Sequence, residues 1–255
     1  MIPAKIAHST AYARALEKVL TTNEDILAQS EIAIKHCRGN YTAWSRRKAF
    51  VLGKNSHKET HAEIEFVWGF LLENKKCYQA WSYLQDLVDT VGTFEKELEE
   101  LLVIHETDSK NHHAWSYRRW LFQKRPSENI QREMQLSREM VEEDPWNNSA
   151  WCYRMFLVGY LCTEDVHREV SFAAKMAAQT PANRAVLRYF LGLGRKNKTP
   201  HYRHTAEALL SQVLPLEDPE TIRFCAELSV LLGLELPGLE RPGRRDVSLL
   251  ASTRR

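Results

Sequence analysis

Apolar and polar positions along this chain recur with a helical period, and the pattern restarts every 34 to 37 residues. In FEKELEELLVI (94–104), Phe94, Leu98, Leu101 and Leu102 fall on one helical face and acids on the other. Breakers close such stretches. Glu-Asp-Pro at 143–145 and Thr-Pro at 180–181 stop one helix, and Asn147 or Asn183 can cap the next. No segment shows convincing strand alternation. The pattern predicts about eleven helices and no sheet, with a lead-in helix around residues 12–20.

The restart is a repeat. Four segments align directly: NYTAWSRRKAF (40–50), CYQAWSYLQDL (77–87), NHHAWSYRRWL (111–121) and NNSAWCYRMFL (147–157). Their anchors Trp44, Trp81, Trp115 and Trp151 are spaced by 37, 34 and 36 residues. A degenerate fifth copy, NRAVLRYFLGL (183–193), puts Leu187 in the Trp slot 36 residues later. Such periods signal two-helix units stacked in an array. Within each motif the positions divide their work. Asn40, Asn111 and Asn147 sit where N-caps belong. Ala43, Ala80, Ala114 and Ala150 precede the Trp, where a small residue lets helices approach closely. The Trp rings are packing anchors between neighbouring hairpins. Arg47, Arg118 and Arg154 follow their Trp by three residues, and either acids of the next unit or a partner chain could pair with them. One helical-repeat domain over 1–234 is expected. The Pro, Gly and Arg content of 235–255 points to a loose C-terminal tail.

Composition narrows the class. With 255 residues, 44% of them hydrophobic, the chain can bury a substantial core. A formal charge of +2 argues against a general nucleic-acid binder. No window approaches 18 consecutive apolar residues, so no membrane span is expected, and MIPAKIAHST lacks the apolar core of a signal peptide. Five cysteines without a Cys-x-x-Cys pair read as free thiols in a reducing compartment rather than a disulfide framework or zinc site. HYRH (201–204) offers two histidines one turn apart, but no acid or Cys at a spacing that would complete a metal site. GLGRKNK (192–198) lacks the strand and Lys-Ser/Thr context of a phosphate loop, and EKELEE (95–100) reads as a solvated helix face.

The recurring signature is Asn-x-x-Ala-Trp-x-x-Arg, not the Trp-x-x-Leu-Gly of tetratricopeptide repeats. In NYTAWSRRK (40–48), SKNHHAWSYRRW (109–120) and NNSAWCYRMFLV (147–158) it resembles the repeat of protein prenyltransferase α subunits. With LTTNEDILAQSEIAIKHCRGNYTAW (20–44) as lead-in, it is most similar to the α subunit of farnesyltransferase and geranylgeranyltransferase type I. The resemblance covers 12–193 well and 200–234 weakly. It implies an all-α fold, an α–α superhelix in which a crescent of helical hairpins wraps a separate α–α barrel β subunit. Such a heterodimer transfers a farnesyl or geranylgeranyl group from its diphosphate to a Cys near the C-terminus of CaaX-motif proteins such as small GTPases. The resemblance places the zinc in the β subunit, implies magnesium for farnesyl transfer, and implies a cytoplasmic chain inactive without its partner. The α subunit of the Rab-type geranylgeranyltransferase and a non-catalytic repeat scaffold are the alternatives.

The resemblance also points to residues. The Lys of the third motif, Lys110, corresponds to one that reaches the diphosphate. It precedes Asn111 at a helix start, where unpaired N–H groups and the helix dipole favour anions, and a cation there would stabilise the departing diphosphate. His112 stands where the family favours Tyr. His113 falls where a polar side chain can reach the acceptor peptide's carboxylate. Asn147 and Arg118 match positions counted among the substrate-binding set. Tyr41 and Tyr78, at the offset of His112 in earlier motifs, read as interface or packing residues. Lys110, His112 and His113 are taken as particular to the third copy. An array whose inner face is built to hold a partner exposes apolar surface, so the isolated chain is expected to be marginal or to aggregate.

Overall fold

The computed structural model describes residues 9–235, apart from Asn23, Thr93 and Glu217. The expected tail therefore lies outside the described residues, Glu235 excepted. Thirteen α-helices and no strand occur among the described residues. They are α1 (Thr10–Thr21), α2 (Ile26–His36), α3 (Tyr41–Gly53), α4 (His57–Glu73), α5 (Tyr78–Val91), α6 (Glu95–Thr107) and α7 (His112–Lys124), followed by α8 (Pro126–Glu143), α9 (Asn148–Leu157), α10 (Thr163–Gln179), α11 (Arg184–Lys196), α12 (Pro200–Val213) and α13 (Pro219–Leu232). The lead-in helix is α1. The two helices beyond the expected eleven are accounted for by α12 and α13, a hairpin with no Trp to mark it. Two compact units divide at Leu121 and Phe122.

The motif fixes each hairpin in the same way. Asn40, Asn111, Asn147 and Asn183 accept hydrogen bonds from backbone N–H groups of the first turns of α3, α7, α9 and α11. The cap stops the preceding turn and starts the motif helix on a fixed residue. The four alanines are fully buried. Each Trp indole N–H donates to the carbonyl six residues earlier: Trp44 to Arg38, Trp81 to Lys75, Trp115 to Ser109 and Trp151 to Pro145, all at 2.8 to 2.9 Å. A buried indole therefore leaves no unpaired donor, and the turn before the helix is tied to the core.

That carbonyl has a second lone pair, and the next repeat uses it. Cys77 Sγ donates to the Arg38 carbonyl at 3.3 Å, Asn111 Nδ2 to that of Lys75 at 3.2 Å, and Asn183 Nδ2 to that of Pro145 at 2.6 Å. So the cap residue of one repeat clasps the turn of the repeat before it. The rings repeat the connection. Trp44 packs on Tyr83, Trp81 on Tyr117 and Trp151 on Tyr189, with centroids 4.8 to 5.9 Å apart. The Trp rings thus fill the spaces between neighbouring hairpins, as their periodicity predicts.

Candidate functional site

Three of the candidate residues, Lys110, His112 and His113, adjoin the turn between α6 and α7. Asp108, the C-cap residue of α6, closes its end. Asp108 Oδ2 accepts from Asn111 Nδ2 at 3.1 Å, and the Asn111 N–H donates to the Asp108 carbonyl. Asn111 is buried by these contacts and by its cap bond to Ala114. Lys110, immediately before it, is exposed, so the first turn of α7 begins beside an ammonium group. His112 is exposed and His113 half-buried, their rings edge to face at 5.7 Å. Partial burial, with a contribution from His112, holds the His113 imidazolium below its ordinary range. Around neutral pH His113 is therefore a neutral hydrogen-bonding ring rather than a second cation.

Arg118 and Asn147 are both buried. Arg118 is 1% exposed, and its charge reaches the buried His105. Asn147, also 1% exposed, spends its side-chain oxygen on the cap of α9.

The fate of the other motif arginines settles one open choice. Arg47 forms a two-pronged ion pair with Glu63, and donates to the Leu27 carbonyl at 2.7 Å and to Ser30 Oγ at 3.2 Å. Arg154 repeats this with Glu169, the Met134 carbonyl and Ser137. All four side-chain partners are buried. The acids of the following helix are thus the partners for these two arginines. Composition and motif alignment overlooked the acids, yet Glu63, Glu97, Glu133 and Glu169 recur at spacings of 34, 36 and 36. Three of them accept from the Tyr twenty residues later: Glu97 from Tyr117 at 2.6 Å, Glu133 from Tyr153 at 2.7 Å and Glu169 from Tyr189 at 2.5 Å. Burial pushes the Tyr117 and Tyr189 hydroxyls far up, so they remain donors.

Two departures from the repeat stand near the candidate turn. The second motif has Leu84 where the other three Trp motifs have Arg. Glu97 therefore lacks the arginine that holds Glu63 and Glu169 and accepts from Trp68 and Tyr117, and burial raises its carboxyl above the usual range. His105 is 4% exposed, and its ring lies 4.3 Å from that of Trp115. Neither ring nitrogen finds a hydrogen-bond partner among the described residues.

The sequence carries a further signal. Counted from the anchors, Lys76-Cys77-Tyr78-Gln79 before Trp81 corresponds to Lys110-Asn111-His112-His113 before Trp115. Lys110 is therefore not particular to the third copy, and the Tyr missing at 112 is present one repeat earlier at Tyr78. Lys76 is exposed, and Tyr78 is 54% exposed at the first position of α5. Lys76 also lines a cavity of about 550 Å³ formed by the turns at Arg38–Gly39 and Leu72–Cys77 together with Asp108. The cap position there is Cys77, which makes no side-chain cap.

Among the described residues, no three His, Cys, Asp or Glu side chains are arranged to hold a metal ion. His201 packs against His167, centroids 4.7 Å apart, and its Nε2 lies 3.2 Å from Ser171 Oγ. No helix among the described residues is long and apolar enough to cross a membrane.

Trp-anchored helical hairpins, clasped repeat to repeat by a shared carbonyl, define an all-α repeat protein. Three segments, 60–91, 94–125 and 130–161, match the family model described as the protein prenyltransferase alpha subunit repeat. They correspond to the hairpins α4–α5, α6–α7 and α8–α9. Across these three hairpins the chain carries the repeat of the protein prenyltransferase alpha subunit. Its fold is similar to that of a chain in the structure of Candida albicans protein geranylgeranyltransferase-I complexed with GGPP, with a TM-score of 0.72 and 19% identity over 89% of this chain and 86% of the other. No curated protein matches the sequence.

Proposed function

We propose that this chain is the α subunit of a heterodimeric CaaX protein prenyltransferase of the farnesyl or geranylgeranyl type I class. The observation that carries the reading is the repeat itself, matched over three consecutive hairpins. In this reading the chain scaffolds a catalytic β subunit and supplies cations to the prenyl diphosphate. Lys110 is the first candidate, and Lys76, at the same place one repeat earlier, is the second. Both stand at helix starts, where the dipole favours an anion. An ammonium fixed there stabilises the charge that grows on diphosphate as the C–O bond to the prenyl carbon breaks. In this reading His113, half-buried and neutral, hydrogen-bonds an acceptor peptide, and His112 or Tyr78 donates toward a phosphate oxygen.

Zinc, which activates the acceptor thiol in this chemistry, belongs to the partner chain in this reading, and magnesium accompanies farnesyl transfer. Small GTPases ending in CaaX are the acceptors, and the cytoplasm is the compartment. The experiment is reconstitution. The chain is co-expressed with prenyltransferase β subunits and supplied with zinc, magnesium, labelled prenyl diphosphate and a CaaX peptide. Transfer by the pair and by neither chain alone is expected. Absence of transfer with every β subunit would remove the catalytic reading and leave a repeat scaffold. Transfer only to double-Cys substrates with an escort protein would move the assignment to the Rab-type enzyme.

A further inference from the structure

Successive motif helices lie side by side with a groove between them, and the two units treat that groove differently. In the second unit, between α9 and α11, the chain fills it with its own side chain. The Met155 methyl lies 2.7 Å from the point where a Cβ on Gly192 would stand. Counted from the motif anchors, the same two positions in the first unit are Lys48 on α3 and Asp86 on α5. These form an ion pair, each side chain about 40% exposed (40% and 39%). The facing positions are small, Ser45, Ala49 and Ser82, and a groove of about 290 Å³ remains between the helices. Tyr41 and Tyr78 stand beside it, 70% and 54% exposed.

We propose that this groove seats one large apolar side chain of the partner subunit, in the space that Met155 fills in the second unit. The inference rests on the α-subunit reading and adds a place and a chemistry for the partner. Three observations set the occupant. The volume lies at the small end of ligand sites, room for a side chain rather than a cofactor. The register shows that an apolar group of methionine size is what this geometry takes when the chain supplies it itself. The mouth offers two exposed tyrosines, a residue type that carries binding energy at interfaces, while the Lys48–Asp86 pair gives both a donor and an acceptor for the main chain of the arriving segment.

The test fills the groove from this side. Ser82→Trp plugs it from α5, and Ala49→Met does so more gently from α3. Both positions are exposed, so the isolated helices are expected to persist. Affinity for a prenyltransferase β subunit is measured by titration, alongside thermal melts and transfer to a CaaX peptide. The expected result is a Kd at least tenfold weaker for both variants with an unchanged melt, and Ser82→Ala binding as wild type. Wild-type affinity in both plugged variants would overturn the groove assignment while leaving the heterodimer and its transfer intact. If Ser82→Trp unfolds the chain, Ala49→Met decides. A wild-type chain that captures no β subunit removes the α-subunit reading and this occupant together. Self-association of wild type in sedimentation, lost in the plugged variants, would show that a second copy fills the groove and overturn the proposal.

Discussion

Replacing His105 by Leu should stabilise this protein, and the gain should grow as pH falls. Ten residues before each anchor the other repeats carry Ile34, Leu71, Val141 and Ala177, every one fully buried. The third repeat alone puts an imidazole there, with both nitrogens unpaired among the described residues. An unmet buried polar group costs about 1–3 kcal/mol, against which the Trp115 ring contact returns about 0.5–1.5 kcal/mol. A net gain of roughly 0.5–1.5 kcal/mol at neutral pH follows. The proton adds to it. Burial, with the Arg118 charge beside it, pushes the His105 imidazolium down to about 3, whereas an unfolded His titrates near 6.5. The unfolded chain therefore takes up a proton that the folded chain refuses. Stability is full above 6.5 and is lost as pH falls from 6.5 toward 3. At pH 5 that loss amounts to about 2 kcal/mol, and leucine abolishes it. Urea unfolding followed by Trp fluorescence, at pH 7.5 and pH 5, reads both parts. His105→Leu melting at or below wild type at pH 7.5, with the same difference at pH 5, would refute the reasoning.

Other expectations follow from the clasps and the buried acids. Glu169→Ala strands Arg154 in the core and should cost about 3–5 kcal/mol in a urea melt, whereas Glu97→Gln, with Leu84 in place of the Arg, should change stability by less than about 1 kcal/mol at pH 5. Because burial raises the Glu97 carboxyl, its contribution is present below the unfolded range near 4.5 and is lost as pH rises, so Glu97→Gln should turn stabilising by pH 8 in the same melts. Cys77→Asn supplies the missing cap of α5 and keeps a donor for the Arg38 carbonyl. It should stabilise by roughly 0.5–2 kcal/mol, read as a higher urea midpoint. In the reconstituted enzyme Lys76→Ala should lower turnover if the second motif reaches the diphosphate, and an unchanged rate would confine that role to Lys110.

Much of this was legible in the sequence because the forces act at fixed offsets. An indole must place its N–H, a helix start must place its N–H groups, and the same residues solve both problems in every copy. Trp44, Trp81, Trp115 and Trp151 with their Asn and Ala neighbours therefore marked the hairpins without structural help. The hairpin α12–α13 was poorly marked because no Trp anchors it. The buried acids escaped for a different reason. Glu63, Glu97, Glu133 and Glu169 lie on the helices between motifs, among many surface acids, and only the spacing distinguishes them. Arg118 and Asn147 read equally well as ligands and as scaffold, since charge and amide serve both, and their burial was not legible in the motif. Lys110 looked singular because Cys77 hides the kinship of the second motif at the cap position. His105 hides its inward position among the neighbours of VIHET (103–107), and only the apolar residues at the same offset in the other copies betray it.

The central claim is that this chain completes a prenyltransferase by placing a cation at the diphosphate. Single-turnover transfer of a labelled prenyl group to a CaaX peptide, by the heterodimer carrying Lys110 or Lys110→Ala, tests it most directly. Losing one charge-assisted hydrogen bond of about 1.5–3 kcal/mol should slow the chemical step roughly ten- to a hundredfold, with assembly and the melt unchanged. An assembled heterodimer whose transfer rate is indifferent to Lys110→Ala, and to Lys76→Ala beside it, would contradict the account.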